Sequence, residues 1–344
     1  MSEKRTEISE IGEFGLIDKI TRETNNQNKS TILGIGDDAA VIDHGGKLAV
    51  VSTDFLLEGV HFDLSYMPLQ HLGYKAVAVN VSDIAAMNAI PEQITVSIGI
   101  SNRFSLEAIE VFYKGVKAAC ENFKVDLVGG DTSSSASGFV ISVTALGKVV
   151  KEKIAKRSGS AENDIICVTG DLGGAYLGLQ VLEREKQVFL TNPEMQPQLD
   201  KYNYVVQRQL KPEARMDIIH ELADLSVVPT AMIDISDGLG SELLHLSKAS
   251  NLGVQIFEDK LPIDKQTYDT GHELGIDSTT AALNGGEDYE LLFTVNQSDY
   301  EKLKMHADIH FIGHMHNDPK ANIMQTKGGN AVPVTAQGWN HYRE

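Results

Sequence analysis

The stretch LGYKAVAVNVSDIAAMNAI, residues 72–90, sets the organisation of the first half of the chain. Its apolar residues recur at steps of three and four positions, at Leu72, Ala76, Val79, Ala86 and Ile90. This spacing predicts an amphipathic helix with one buried face, and the proline at position 91 predicts where the helix stops.

Alternating apolar and polar residues on both sides of this helix predict strands at residues 47–54, 93–100 and 139–149. A second helix is expected at residues 105–123. Strands separated by helices predict an α+β fold, with an α/β layer in the first half. The polar, basic segment VVKEKIAKRSG, residues 149–159, predicts a boundary between an N-terminal domain, residues 1–150, and a C-terminal domain, residues 151–344.

The second half repeats the mixed pattern of strands and helices. Strands are predicted at residues 164–170, 231–235, 254–257 and 290–295, and helices at 173–182, 213–224 and 239–250. Residues 187–212 contain three prolines and are expected to form a long excursion between elements.

Length, charge and cysteine content exclude several classes of protein. A chain of 344 residues favours two domains, and 48 acidic against 30 basic residues give a net charge of -18, which argues against nucleic-acid binding. The two cysteines lack zinc-ligand spacing. The charged N-terminus has no apolar core and no membrane-length apolar run occurs, so a cytoplasmic protein with no membrane association is expected.

Asp83 is the most informative single residue. It follows Val79 by four positions and precedes Ile90 by seven, and therefore lies on the apolar stripe of its own helix. A buried carboxylate is costly unless it is paired or bound to a metal ion. The alternative is a structural aspartate hydrogen-bonded to backbone, with Lys75 and Asn80 supplying part of the compensation.

Other aspartates stand at strand ends or in glycine turns, where side chains point into clefts. Each has a structural alternative: Asp54 as a strand-end residue, Asp131 as part of a Gly-Gly-Asp turn, and Asp237 as a helix N-cap. Capping does not explain Asp234, which lies inside an apolar strand. Scattered carboxylates of this kind suit Mg²⁺, which prefers oxygen ligands.

Standard nucleotide-binding motifs are missing. No P-loop sequence occurs, and the GIGDDA segment at residues 34–39 matches the dinucleotide fingerprint only nominally. Two aspartates would repel the pyrophosphate there, and no helix is expected to follow, so a Rossmann site is rejected.

Six sequence blocks, in this order, resemble the thiamine-monophosphate kinase family over nearly the whole chain. They are GIGDDAAVI (34–42), VSTDFLLEGVHF (51–62), GYKAVAVNVSDIAAMNA (73–89), GGDT (129–132), IDISDGL (233–239) and NGGEDYELLFTV (284–295). This family belongs to the superfamily of aminoimidazole ribonucleotide synthetase, so the resemblance implies a two-domain PurM-like fold. It also implies a homodimer whose N-terminal sheets pair, and ATP-dependent phosphorylation of thiamine monophosphate to thiamine diphosphate.

The resemblance also assigns site residues. Magnesium ions would be held by Asp38, Ser52, Thr53, Asp54, Asp83, Asp131, Asp234 and Asp237. ATP would be contacted by Gly130, Asp131, Arg157 and Ser236. The substrate would be contacted by His61, Glu287 and Trp339. Transfer would be direct and in line, aided by several Mg²⁺ ions and without a side-chain base, because the attacking group is a phosphate oxygen that is already largely ionised at pH 7.

Alternatives remain open for several of these residues and for the function. Arg157 could be a solvated surface residue, His61 a strand-edge histidine, and Trp339 a C-terminal core anchor. Selenophosphate synthetase and the hydrogenase maturation factor share the superfamily, but each would need a reactive cysteine that this chain lacks at the expected place. An acidic Mg²⁺- or Ca²⁺-binding protein without catalysis is a further alternative, although no calcium-loop motif supports it.

Overall fold

The structure, a computed structural model, describes residues 31–33, 37–43 and 45–336 and contains two mixed β-sheets. The first sheet has the order β1-β2-β3-β6-β4-β5. Its strands are β1 (Thr31–Leu33), β2 (Ala40–Asp43), β3 (Leu48–Leu57), β4 (Ile90–Ile100), β5 (Asp126–Ser134) and β6 (Phe139–Val149). All neighbours are antiparallel except β4 and β5, which run parallel.

Two helices cover one face of this sheet, α1 (Leu69–Ala86) and α2 (Leu106–Phe123). They cross closely because glycines stand at the contact. A Cβ added to Gly73 would lie 2.0 Å from the carbonyl oxygen of Phe112, and one added to Gly115 would lie 1.8 Å from that of Gln70. Helix α1 is buried nearly all round, so its few polar side chains must find partners inside the protein.

The second sheet has the order β13-β12-β9-β11-β7-β10-β8. Its strands are β7 (Ile165–Thr169), β8 (Ala231–Asp234), β9 (Gly253–Phe257), β10 (Leu291–Val295), β11 (Ile309–His316), β12 (Ile323–Gln325) and β13 (Ala331–Pro333). Its helices are α3 (Gly174–Thr191), α4 (Asn203–Leu210), α5 (Met216–Asp224), α6 (Leu239–Ser250), α7 (Lys265–Leu274), α8 (Ser278–Asn284) and α9 (Tyr300–Leu303). The two mixed sheets with their helices agree with the α+β, two-domain class expected from the sequence, while the boundary at residues 150 and 151 stays a prediction.

Three local expectations were wrong. The first helix ends at Ala86, and Asn88 takes a left-handed conformation with φ 53°. Pro91 therefore lies inside β4, beside a register irregularity where its missing N–H is tolerated. The GGDT segment is part of strand β5 and not a turn, and the expected excursion at residues 187–212 contains the end of α3 and all of α4.

Within the described part of the chain, none of the helices has both the length and the apolar character that a membrane span requires.

Candidate functional site

The polar residues of α1 connect both sheets. Asn80 accepts a hydrogen bond from the backbone N–H of Asp54 at 3.0 Å. Ser82 Oγ donates to Asp234 Oδ2 at 2.6 Å, and Asp83 Oδ2 accepts from Ser52 Oγ at 2.5 Å. One buried helix thus contacts the middle of β3 and the end of β8.

Three carboxylates converge at this point. Asp38, Asp83 and Asp234 each place a carboxylate oxygen within 4.8 Å of the others, and they are the only group of metal-ligand type among the described residues. Asp83 is bonded to a side-chain hydroxyl, so the alternative of a backbone-satisfied aspartate is not what the structure shows. Lys75 does not compensate Asp83 either, because it pairs with Glu287.

Crowding makes this group electrostatically expensive. Burial and then the charges of Asp54, Asp234 and Asp38 raise the pKa of Asp83 well above its usual value. Burial, followed by the charge of Asp38, raises the pKa of Asp234 to about 8, and burial raises that of Asp54 to about 6. These carboxylates are costly to ionise when no cation lies between them, and a bound divalent ion would remove that cost. Because all the ligand atoms are oxygens, the group fits a hard metal ion.

Arg157 supplies a positive charge on one side of the group. Its guanidinium donates to both carboxylate oxygens of Asp38, at 2.9 and 2.8 Å, and its backbone N–H lies 3.2 Å from both oxygens of Asp37. Asp38 is almost completely buried, so this is a fixed, bidentate pair. The alternative of a solvated surface arginine is therefore wrong.

Two loops meet next to the carboxylates. The backbone N–H of Glu287 donates to the carbonyl oxygen of Ser236 at 2.6 Å, and that of Tyr289 donates to Ile235 at 2.9 Å. Glu287 and Tyr289 have φ values of 60° and 52°, which non-glycine residues rarely adopt. Gly286, with φ 72°, permits the close approach, because a Cβ there would lie 2.5 Å from the Ser236 carbonyl oxygen.

The alternation of side chains along β3 separates the metal ligands predicted on it. Ser52 and Asp54 face α1, whereas Thr53 faces away and donates its hydroxyl hydrogen to the Val143 carbonyl at 2.9 Å. The structure does not bring the Thr53 hydroxyl to the carboxylates. Asp54 is three residues from the end of β3, so the strand-end alternative for this residue is wrong.

Asp131 and Gly130 also lie apart from the carboxylates within one chain. Asp131 pairs in register with Ser97, Ser97 pairs with Ser142, and Ser142 pairs with Phe55. Since Phe55 faces the same side of the sheet as Thr53, Asp131 lies on that open face too. Three strand spacings separate Asp131 from Phe55, which corresponds to about 14 Å. Gly130, with φ 158°, is required because a Cβ would lie 1.9 Å from the Val96 carbonyl oxygen.

The remaining predicted residues have different placements. Asp237 precedes α6, but the N-cap residue is Gly238 with no side-chain capping bond, so the capping alternative for Asp237 is not supported. His61 lies just beyond β3, and its Nδ1 accepts the backbone N–H of Leu57 at 3.0 Å. Trp339 lies outside the described residues.

Sequence reasoning missed several residues that support the site. Ser82 and Gln209 were not singled out, and Lys75 and Asn80 were given the wrong partner. Lys75, Asn80 and Ser82 carried a usable signal, since each is a polar residue in a helix that is otherwise apolar. Gln209 carried no comparable signal, because its partner Glu287 is 78 positions away.

Comparisons with known proteins confirm the PurM-like fold class expected from the sequence. A family model described as AIR synthase related protein, N-terminal domain, matches residues 36–149. The thiamine-monophosphate kinase of Bacillus subtilis (strain 168) is 35% identical over 97% of this chain and 100% of its own length.

Solved structures match over similar lengths. AaThiL complexed with AMPPCP and TMP has a TM-score of 0.82 and 33% identity, and the match covers 99% of this chain and 100% of that one. Thiamine monophosphate kinase from Aquifex aeolicus has a TM-score of 0.74 and 31% identity, with 93% and 98% covered. Identity of this extent decides against the related synthetase and hydrogenase-factor families and against a non-catalytic acidic protein. The chain belongs to the thiamine-monophosphate kinase family.

Proposed function

We propose that this protein transfers the γ-phosphoryl group of ATP to thiamine monophosphate and forms thiamine diphosphate and ADP, a step of thiamine diphosphate biosynthesis. The single observation that carries the proposal is the full-length match to this kinase family, including a relative whose structure holds an ATP analogue and TMP. Five of the six motif blocks meet at the carboxylate group and the adjoining loops, whereas the GGDT block lies apart from them within one chain.

Magnesium is part of the same proposal. Asp38, Asp83 and Asp234 fit Mg²⁺ because they offer only oxygen atoms, and Ser52 and Asp54 lie beside them. Bound Mg²⁺ would neutralise phosphate charge and stabilise the transferring phosphoryl group. Arg157 holds Asp38 in place, and the Ser236 loop is fixed by its contact with Glu287. Gly130, Asp131, Arg157 and Ser236 stay predicted ATP contacts, and Asp131 and Asp237 stay predicted metal ligands.

A reaction without a side-chain base is supported by the contact of His61. Its Nδ1 lone pair accepts the Leu57 N–H, so in the neutral ring the proton is on Nε2. That nitrogen can donate a hydrogen bond to a substrate, but it has no lone pair with which to remove a proton. The acceptor phosphate supplies its own ionised oxygen, so alignment and charge neutralisation are the tasks left to the protein.

The activity is tested by incubating the protein with ATP, Mg²⁺ and thiamine monophosphate and separating the products by chromatography. Thiamine diphosphate and ADP should appear in equal amounts. ADP formation that does not respond to thiamine monophosphate, with no diphosphate formed, would refute the proposal.

We also propose a homodimer in which the open faces of the first sheets pair. Every residue of edge strand β5 is exposed, including Val128 at 60%, and Phe55 on the same sheet is 55% exposed. Exposed apolar residues on an edge strand and on an uncovered face are usually buried by a partner. Light scattering coupled to size-exclusion chromatography should give twice the mass of 37.5 kDa, and Phe55→Lys with Val128→Lys should give the monomer mass.

A cytoplasmic location completes the proposal. Cys120 and Cys167 are both free thiols, which is the usual state of cysteine in a reducing compartment.

A further inference from the structure

Lys75 is the largest fully buried charged side chain in the described part of the chain, with 1% of it exposed. It lies on α1, eight residues before Asp83. A buried ammonium is costly unless it is paired and hydrogen-bonded. Lys75 Nζ donates to Glu287 Oε2 at 2.7 Å and to the Gln209 carbonyl oxygen at 3.0 Å, and these two hydrogen bonds compensate its burial.

Gln209, on α4, donates to the same oxygen. Its Nε2 lies 2.7 Å from Glu287 Oε2, while its own Oε1 is buried and has no hydrogen-bond partner among the described residues. Reversing the amide would place an oxygen against the carboxylate. The orientation of Gln209 is therefore set by Glu287, at the cost of an unsatisfied acceptor.

Both donors bind one oxygen of Glu287 and neither reaches Oε1. The Glu287 side chain keeps 29% exposure, and its backbone is held in a left-handed conformation by the bond from its N–H to Ser236. Strained backbone of this kind persists where the surroundings fix it, and it occurs most often at functional sites. Backbone and side chain are thus fixed independently of each other.

Helix α1 sets the distance between the contacts of Lys75 with Glu287 and the carboxylate group around Asp83. Eight residues of α-helix correspond to a rise of about 12 Å between Lys75 and Asp83. Helix α1 therefore positions two parts of the site. One is the carboxylate group around Asp83, which would receive the phosphate groups, and the other is Glu287, which is predicted to contact the substrate.

We infer that Lys75 and Gln209 are positioning residues for substrate recognition: they fix Oε2 of Glu287 so that Oε1 is presented to the thiamine part of thiamine monophosphate, which carries a thiazolium cation and a hydrogen-bond-donating amino group. This inference rests on the proposed function. Lys75 and Gln209 act through Glu287 and are not expected to touch the phosphate groups or the metal ions.

The test compares Lys75→Met, Gln209→Met, Glu287→Gln and the double variant K75M/E287Q with the wild type. Lys265→Met is the matched control, because Lys265 pairs with Asp269 at the exposed surface of α7, away from the first sheet. We expect K75M to raise the KM for thiamine monophosphate at least about tenfold, with kcat and the KM for ATP within about threefold. Q209M should raise the same KM several-fold, and K265M should leave all constants unchanged.

The double variant separates positioning from mere support of the fold. If Lys75 acts through the Glu287 carboxylate, the KM of K75M/E287Q for thiamine monophosphate should be no higher than that of E287Q alone. Additive effects, an equal rise in the KM for ATP, or unchanged KM values in both K75M and Q209M would overturn the inference.

Two further outcomes are decisive. If K75M does not fold in thermal denaturation, Q209M alone decides, and an unchanged KM in Q209M would refute the inference. A wild-type protein that forms no thiamine diphosphate refutes the proposed function as well, whereas an active wild type with unaffected variants refutes only this inference.

Discussion

Ser82 Oγ donates a 2.6 Å hydrogen bond to Asp234 Oδ2, although 152 positions separate the two residues. The next residue of the same helix, Asp83, bonds to Ser52 of the first sheet. Consecutive residues of α1 therefore join the end of β8 in the second sheet to β3 in the first, and the carboxylate group forms at this junction. The charge balance of this group leads to predictions for Asp83, for the pH dependence of stability and for Arg157.

Asp83→Asn should lower kcat at saturating Mg²⁺ by at least about a hundredfold and raise the melting temperature of the metal-free protein. The activity falls because a proposed metal ligand is lost, and the stability rises because like charges next to Asp234 are relieved. Calorimetry in EDTA and steady-state kinetics measure the two effects. Asp43→Asn, at an exposed position in β2, is the control and should change neither. An unchanged turnover would make Asp83 a structural residue.

The stability of the metal-free protein should fall between about pH 5 and pH 8. The pKa of Asp234 is raised to about 8 and that of Asp54 to about 6, so the folded state binds more protons than the unfolded chain across this range. Stability must therefore decrease as pH rises. Urea titrations at several pH values should show this slope, and Asp234→Asn or added Mg²⁺ should reduce it. A slope that Asp234→Asn leaves unaltered would contradict the assignment.

Arg157→Met should act in the opposite direction to Asp83→Asn. It removes the bidentate partner of Asp38 and leaves that carboxylate unpaired beside two others, which should cost about 3 kcal/mol of unfolding free energy without metal. Arg157→Lys should recover only part of this, since an ammonium cannot form both bonds. Denaturant unfolding in EDTA provides the measurement, and equal stability of wild type and Arg157→Met would contradict the prediction.

His61→Gln and His61→Asn should mainly raise the KM for thiamine monophosphate, about tenfold, while the pH dependence of kcat stays as in the wild type. The amide of Asn can replace Nδ1 as the acceptor of the Leu57 N–H, and neither amide titrates. A loss of several orders of magnitude in kcat, with disappearance of a titration near the usual histidine pKa, would establish His61 as a base.

Cys120→Ala together with Cys167→Ala should leave kcat within about twofold. Burial raises the pKa of both thiols, so neither is a thiolate at neutral pH. The fully buried Cys167 should account for a stability loss of about 1 kcal/mol by leaving a small cavity. Loss of turnover in a folded double variant would point to a covalent mechanism.

Local pattern and motif order were enough to predict much of this protein. The apolar spacing in residues 72–90 located α1, and the position of Asp83 on its stripe indicated a functional carboxylate. The ordered blocks identified the family, which the comparisons confirm. These features could be predicted because periodicity and residue type depend on short stretches of sequence.

The tertiary structure alone decided which of the candidate residues meet. Asp38, Asp83 and Asp234 converge, while Thr53 and Asp131 face the open side of the sheet, because strand register fixes which face each side chain takes. The same holds for Lys75, whose partner is 212 positions away and depends on how α1 packs against the second half of the chain. A sequence pattern specifies that a buried charge needs a partner, but only the packing of distant segments determines which residue that partner is.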